Sequence, residues 1–128
     1  VLQRVSASGG APENVTVLDS ARGDSLHLLP QLVDEGRTVI FTIAAGAARH
    51  VAAARMDSGT ITVITEGTHG RYVDGHLVFV RDGTLWGGRF DLETLSLQGP
   101  PVPLVDGIDE TDNTVFHYDV SRAGTLVY

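Results

Sequence analysis

One short phrase occurs three times in this chain and constrains its fold more than any other feature. Gly36 opens "GRTVIF", Gly75 opens "GHLVFV" and Gly124 opens "GTLVY". Each run is rich in β-branched and aromatic residues. Each is preceded by a polar stretch with an apolar or aromatic core: "HLLPQLVDEG", "HGRYVDG" and "VFHYDVSRAG". Strand, polar turn, strand is the pattern of an antiparallel hairpin, with glycine supplying the positive φ of the turn. The glycines lie 39 and 49 residues apart, within reach of one four-stranded propeller blade.

A second kind of hairpin separates these inner ones. Asp57-Ser58-Gly59 is a turn between strands over His50–Met56 and Thr60–Thr65. Leu85–Phe90 and Val102–Val105 form another pair with a longer connection. Leu2–Val5 and Val15–Leu18 flank a turn at Ser8-Gly9-Gly10. The order is therefore outer, inner, outer, inner, outer, inner. One inner plus one outer hairpin makes a four-stranded blade of a β-propeller, so the expected fold is all-β. Residues 26–67 and 68–107 form two blades. Residues 1–25 form the outer hairpin of a split blade, and residues 108–128 its inner hairpin.

Three blades' worth cannot close a ring, because rings hold about four to eight. Two chains joined head to tail would give six blades, each split blade completed by the partner. A homodimer is thus expected; the alternative is closure within a longer parent, consistent with a chain that stops mid-hairpin at Tyr128. A lone fragment would expose two flat strand edges. Helix signals are nearly absent. "AAGAARHVAAAR", Ala44 to Arg55, has helix-friendly composition but no apolar stripe at helical spacing, so it reads as a turn followed by a strand of small residues, with a short helix as the alternative.

Hydrophobic residues at 42% and charged residues at 20% fit a globular chain and exclude disorder. No apolar run is long enough for a membrane helix. Val1 leads at once into strand-like sequence, so a natural start is expected upstream and the N-terminus carries no compartment signal. The absence of cysteine excludes disulfides and thiolate metal sites. A net charge of -7, with all nine basic residues scattered arginines, argues against a nucleic-acid partner.

Longer phrases, "GDSLHLLPQLVDEGRTVIFTI", "GRYVDGHLVFVRDGTLWGGRFDLETLSLQGPPVPLVDGI" and "FHYDVSRAGTLVY", closely resemble the TolB-like propeller found C-terminal to bacterial serine/threonine protein kinases. The matching positions are His27, Pro30 and Gly36; Gly75–Val78; Gly83–Trp86; Phe90 and Asp91; Gly99 and Pro101–Pro103. One departure is Asp34-Glu35-Gly36, where the family usually has Pro-Asp-Gly; it lengthens or reshapes that turn. The resemblance implies a six-bladed ring without catalysis of its own, acting as a sensor or interaction module, often extracytoplasmic. No kinase motif lies in the chain.

Nucleophilic catalysis finds no support, since there is no Gly-x-Ser-x-Gly elbow and no cysteine. His27, His69 and His117 fall near the starts of the three inner strands, where three imidazoles can converge on a metal. Packing histidines between blades are the favoured reading, and no metal or other cofactor is expected. "VDGIDETDN" carries Asp106, Asp109, Glu110 and Asp112 on an inter-blade loop. Its spacing does not match a calcium hand, so it reads as a solvated acidic loop on the face where propellers bind partners. Trp86 with Phe90, and Phe41 with Phe79, read as inter-blade core, with Tyr128 at the repeat position of Phe79. His50 and His76 read as ordinary strand residues.

The first functional expectation is a non-enzymatic propeller binding a protein, peptide or small ligand. Its candidate binding residues are Asp109, Glu110 and Asp112 on the loop, with His69, Arg71 and His117 toward the channel. The second is part of an enzyme: a lid gating a serine peptidase, or a ring with a metal-dependent channel site. The third is a half-ring whose role is assembly alone.

Overall fold

A computed structural model describes residues 1–111 and 115–128. The described residues are all-β, in several antiparallel sheets, with a single 3-10 turn and no α-helix. None of the described residues forms a helix long and apolar enough to cross a membrane.

The first hairpin pairs β1 (Gln3–Arg4) with β2 (Glu13–Asn14). The second strand is shorter and earlier than the expected Val15–Leu18. Thr16 is the reason: its hydroxyl accepts the Leu2 amide at 2.9 Å, which draws the side chain inward and ends the ladder. The first large sheet is a meander of β3 (Leu26–Val33), β4 (Thr38–Ala45), β5 (Ala48–Arg55) and β6 (Ile61–Glu66). The strand reading of Ala44–Arg55 therefore holds, with a break at Gly46-Ala47. Alanines 52 to 54 are fully buried, and their small side chains let the layers on both faces approach.

The second large sheet joins β7 (Thr68–Val73), β8 (His76–Arg81) and β9 (Thr84–Asp91). Its outer position is shared. β10 (Ser96–Leu97) pairs with Asp91 and Phe90, while β11 (Val102–Val105) pairs with Gly87, Trp86 and Leu85. The C-terminal segment forms two small ladders: β12 (Glu110–Thr111) with β13 (Val115–Phe116), and β14 (Asp119–Val120) with β15 (Leu126–Val127). The two terminal hairpins, β1–β2 and β14–β15, are separate sheets within the chain.

Period-two alternation on the central strands sorts the core into three layers. Val39, Phe41 and Ile43 face one way, against Leu2 and Val15 of the N-terminal segment. Ile40, Val51 and Ala53 face the other way, against Leu77, Phe79 and Phe90 of the second sheet. Val80 and Leu85 on that sheet's far face meet Ile108, Phe116 and Tyr118. The order of packing is N-terminal segment, first sheet, second sheet, C-terminal segment. Phe41 and Phe79 are both fully buried but belong to different layers, so they are core without forming a pair. Each such ring contributes roughly 1.5–3 kcal/mol by burial. Tyr128 keeps register with Phe79 yet is 72% exposed, because no third strand covers β15.

Both large sheets open with a bulged strand. Register shifts between Leu28 and Gln31 in β3 and between Thr68 and Arg71 in β7. The bulge residues Leu29 and His69 both stand at φ 55°. Behind the second bulge, Gly70 lies so close to the first sheet that a methyl there would sit 2.5 Å from Val51 Cγ1. The departing turn also differs as expected. Asp34, Glu35 and Gly36 all take left-handed backbone, whereas the matching turn of β7–β8 uses only Asp74 and Gly75.

Candidate functional site

The candidate residues fall into two adjoining places. Asp109 and Glu110 border a groove of about 800 Å³ at one end of the sheets. The β4–β5 and β8–β9 turns, the β6–β7 junction and the loop before β12 form its walls. Glu66 and Asp82 add two more exposed carboxylates, and no ion pair involves any of the four among the described residues. Arg81 also lines the groove, but its guanidinium is turned onto the Glu66 carbonyl and the Thr65 hydroxyl. Asp112 lies outside the described residues. Asp106 ties its loop to the start of β9, accepting the Thr84 hydroxyl at 2.9 Å.

His69, Arg71 and His117 gather just beneath that groove, around the C-terminal segment. Arg71 Nη1 donates to the carbonyls of Leu29 and Gly70, tying the second bulge to the first. His117 is exposed, and its Nε2 bonds the Thr111 hydroxyl at 2.8 Å. Its amide donates to the Asp109 carbonyl, which links this cluster to the acidic loop. His69 is buried against Tyr118. Burial, and then the positive Arg71, lower the imidazole pKa to about 4, so His69 is neutral near neutral pH.

His27, His69 and His117 are not all equivalent in register. Ladder register aligns His69 with Leu29, two residues beyond His27. The same counting places His117 with His69. No group of three His, Cys, Asp or Glu able to hold a metal exists among the described residues.

His27 belongs to a separate network that the sequence did not announce. Its Nδ1 meets Thr16 Oγ1 at 2.8 Å and its Nε2 meets Asp24 Oδ2 at 3.2 Å. Asp24 also takes a bidentate pair of bonds from Arg22 at 2.7 Å each, and it accepts the Asp19 amide. Arg22 above all holds the Asp24 carboxyl well below its ordinary range. Hydroxyl, imidazole and carboxylate in series have the connectivity of a hydrolytic triad. Here the side chains of Asp24 and His27 have no solvent exposure and Thr16 is fully buried, so no substrate reaches the hydroxyl. The network is a polar staple beneath Phe41, whose ring lies 4.9 Å from that of His27. The only hint in the sequence is an Asp three residues ahead of a His at the mouth of a strand.

Trp86 is half-buried beside the core that holds Phe90, and Arg81 lies over its ring. His50 lies half-buried in β5 and His76 lies exposed in β8. No protein-family model, curated protein or solved structure matches the chain.

Proposed function

We propose that the chain is half of a six-bladed, TolB-like propeller and works as a non-catalytic binding module of a kinase-associated bacterial protein. The observation that carries this reading is the repeated bulge. Two successive sheets open with the same register shift, turn through a left-handed hairpin and stack face to face. Such repetition is the mark of a radial array, in which each unit buries its face only against its neighbours. The terminal hairpins supply two strands each, which together equal the four strands of the sheet over Leu26–Glu66. A second copy of the chain would complete both split blades.

The partner surface is the groove bordered by Asp109 and Glu110. It is broad and open, and its exposed carboxylates suit a protein or peptide segment presenting basic side chains. The hydroxyl–imidazole–carboxylate series of Thr16, His27 and Asp24 is buried and is assigned no catalytic role in this reading. Light scattering on the eluting protein tests ring closure. The expected mass is twice the 13.6 kDa of one chain, at all micromolar concentrations. A species of single-chain mass that stays soluble when concentrated rules the paired half-rings out.

A further inference from the structure

Beside the apolar contacts of Val80 and Leu85, the C-terminal segment is gripped by polar contact at His69 of the second sheet. The Tyr118 hydroxyl donates to the His69 carbonyl. The two rings pack 4.6 Å apart at 46°. The Phe116 backbone beside the His69 ring favours its protonated form. From the other side, the His69 amide donates to Thr42 Oγ1 of the first sheet at 3.0 Å. The left-handed backbone at φ 55° turns the His69 carbonyl out of the β7–β8 ladder, which leaves it available to Tyr118.

One nitrogen of this imidazole is left over. His69 is 7% exposed, and its buried Nδ1 has no partner. A neutral imidazole needs only one donor and one acceptor nitrogen, and an idle lone pair costs little. Protonation places a second N–H there, buried and unsatisfied, together with a positive charge. Arg71 on the same strand and His117 on the C-terminal segment oppose that charge, while Asp119 favours it. The first sheet offers only the neutral Thr42 hydroxyl. Tyr118, whose own ionisation burial pushes to higher pH, stays neutral throughout.

We propose that His69 and Tyr118 form an acid-released latch: a proton on His69 undocks the C-terminal hairpin β14–β15 from the second sheet while both large sheets stay folded. The segment is suited to separate release. Its ladders are two residues long, whereas the first sheet's central strands pair over eight. The released ring takes a proton near pH 6.5 and the docked ring only near 4. Docking is therefore complete above about pH 6.5 and weakens as pH falls toward about 4, by up to roughly 300-fold.

Hydrogen exchange on the full chain tests the latch, with rates corrected for the intrinsic effect of pH. Between about pH 7.5 and about pH 4.5, amides in residues 115–128 should lose protection roughly 80-fold. Amides of β4 and β5 should keep theirs. His69→Asn, which tolerates the left-handed backbone and does not titrate, should abolish the step. Equal loss in the sheets and the hairpin, or an acid step that survives His69→Asn, overturns the proposal. Should that variant not fold, the ring's own titration in the native chain decides by nuclear magnetic resonance. A midpoint near 4 supports the latch, and one at about 6 or above refutes it.

Discussion

His27 and His69 each hold a terminal segment of this chain against the neighbouring sheet, and they do so with opposite degrees of completion. At the N-terminal end both ring nitrogens of His27 are engaged, by Thr16 and Asp24, and Asp24 is itself saturated by Arg22 and the Asp19 amide. At the C-terminal end Tyr118 holds His69 through its carbonyl and packs on its ring, but the ring's Nδ1 is idle. A closed polar network inside a protein specifies one arrangement and resists change. An incomplete one is a place where a single proton alters the balance. The same residue type, equally buried, thus makes a fixed staple at one end and a conditional clasp at the other.

The largest effect is expected from breaking the complete network. Asp24→Ala leaves a buried imidazole and a half-buried guanidinium without their shared anion, and should cost about 3–5 kcal/mol in urea unfolding. A loss under about 1 kcal/mol would mean that the N-terminal clasp is no tighter than the other.

Next in size is the pH order of failure. The His69 pKa is lowered on folding, so the unfolded chain binds the extra proton and stability falls as pH drops from about 6.5 toward 4, by about 3 kcal/mol in all. The Asp24 pKa is also lowered, but from the carboxylate range, so its contribution is intact until pH falls below about 4. Limited proteolysis along an acid series should therefore nick the C-terminal segment first and the N-terminal segment only later. Simultaneous cleavage would erase the distinction between the two ends.

The smallest expected change comes from Tyr118→Phe. It removes the hydroxyl bond to the His69 carbonyl but keeps the ring packing, so it should cost about 1 kcal/mol. The loss should appear in the exchange of residues 115–128 and leave the thermal midpoint of the large sheets nearly unchanged.

Glycine punctuation made most strands from Leu26 to Val105 legible, because their turns carry Gly36, Gly46, Gly59, Gly75 or Gly83; the turn before β10 takes positive φ at Leu95 instead, and β10 was hidden in a longer connection. The bulges were hidden for the converse reason. Leu29 and His69 hold left-handed backbone without being glycine, so nothing in their identity marks the shift. The sequence placed His27 and His69 near the starts of successive strands without fixing their equivalence, and the ladders offset them by two residues. Thr16 reads as a strand residue, and only the folded chain shows it turning under to meet His27. Of the candidate residues, the acidic loop was legible from its charge. The grip of Tyr118 on His69 was not, since it depends on a carbonyl that the bulge alone exposes.

The amide of Gln31 donates to the Tyr72 carbonyl at 3.2 Å and accepts the Tyr72 N–H at 2.7 Å. A side chain here fills both slots of a backbone rung, across two sheets that share no strand. Shifting one sheet lengthwise by a single residue would empty both slots at once. Gln31 therefore acts as a dowel: it holds the tips at Asp34–Gly36 and Asp74-Gly75 in fixed register, and with them the facing walls of the cleft of about 520 Å³ that they border.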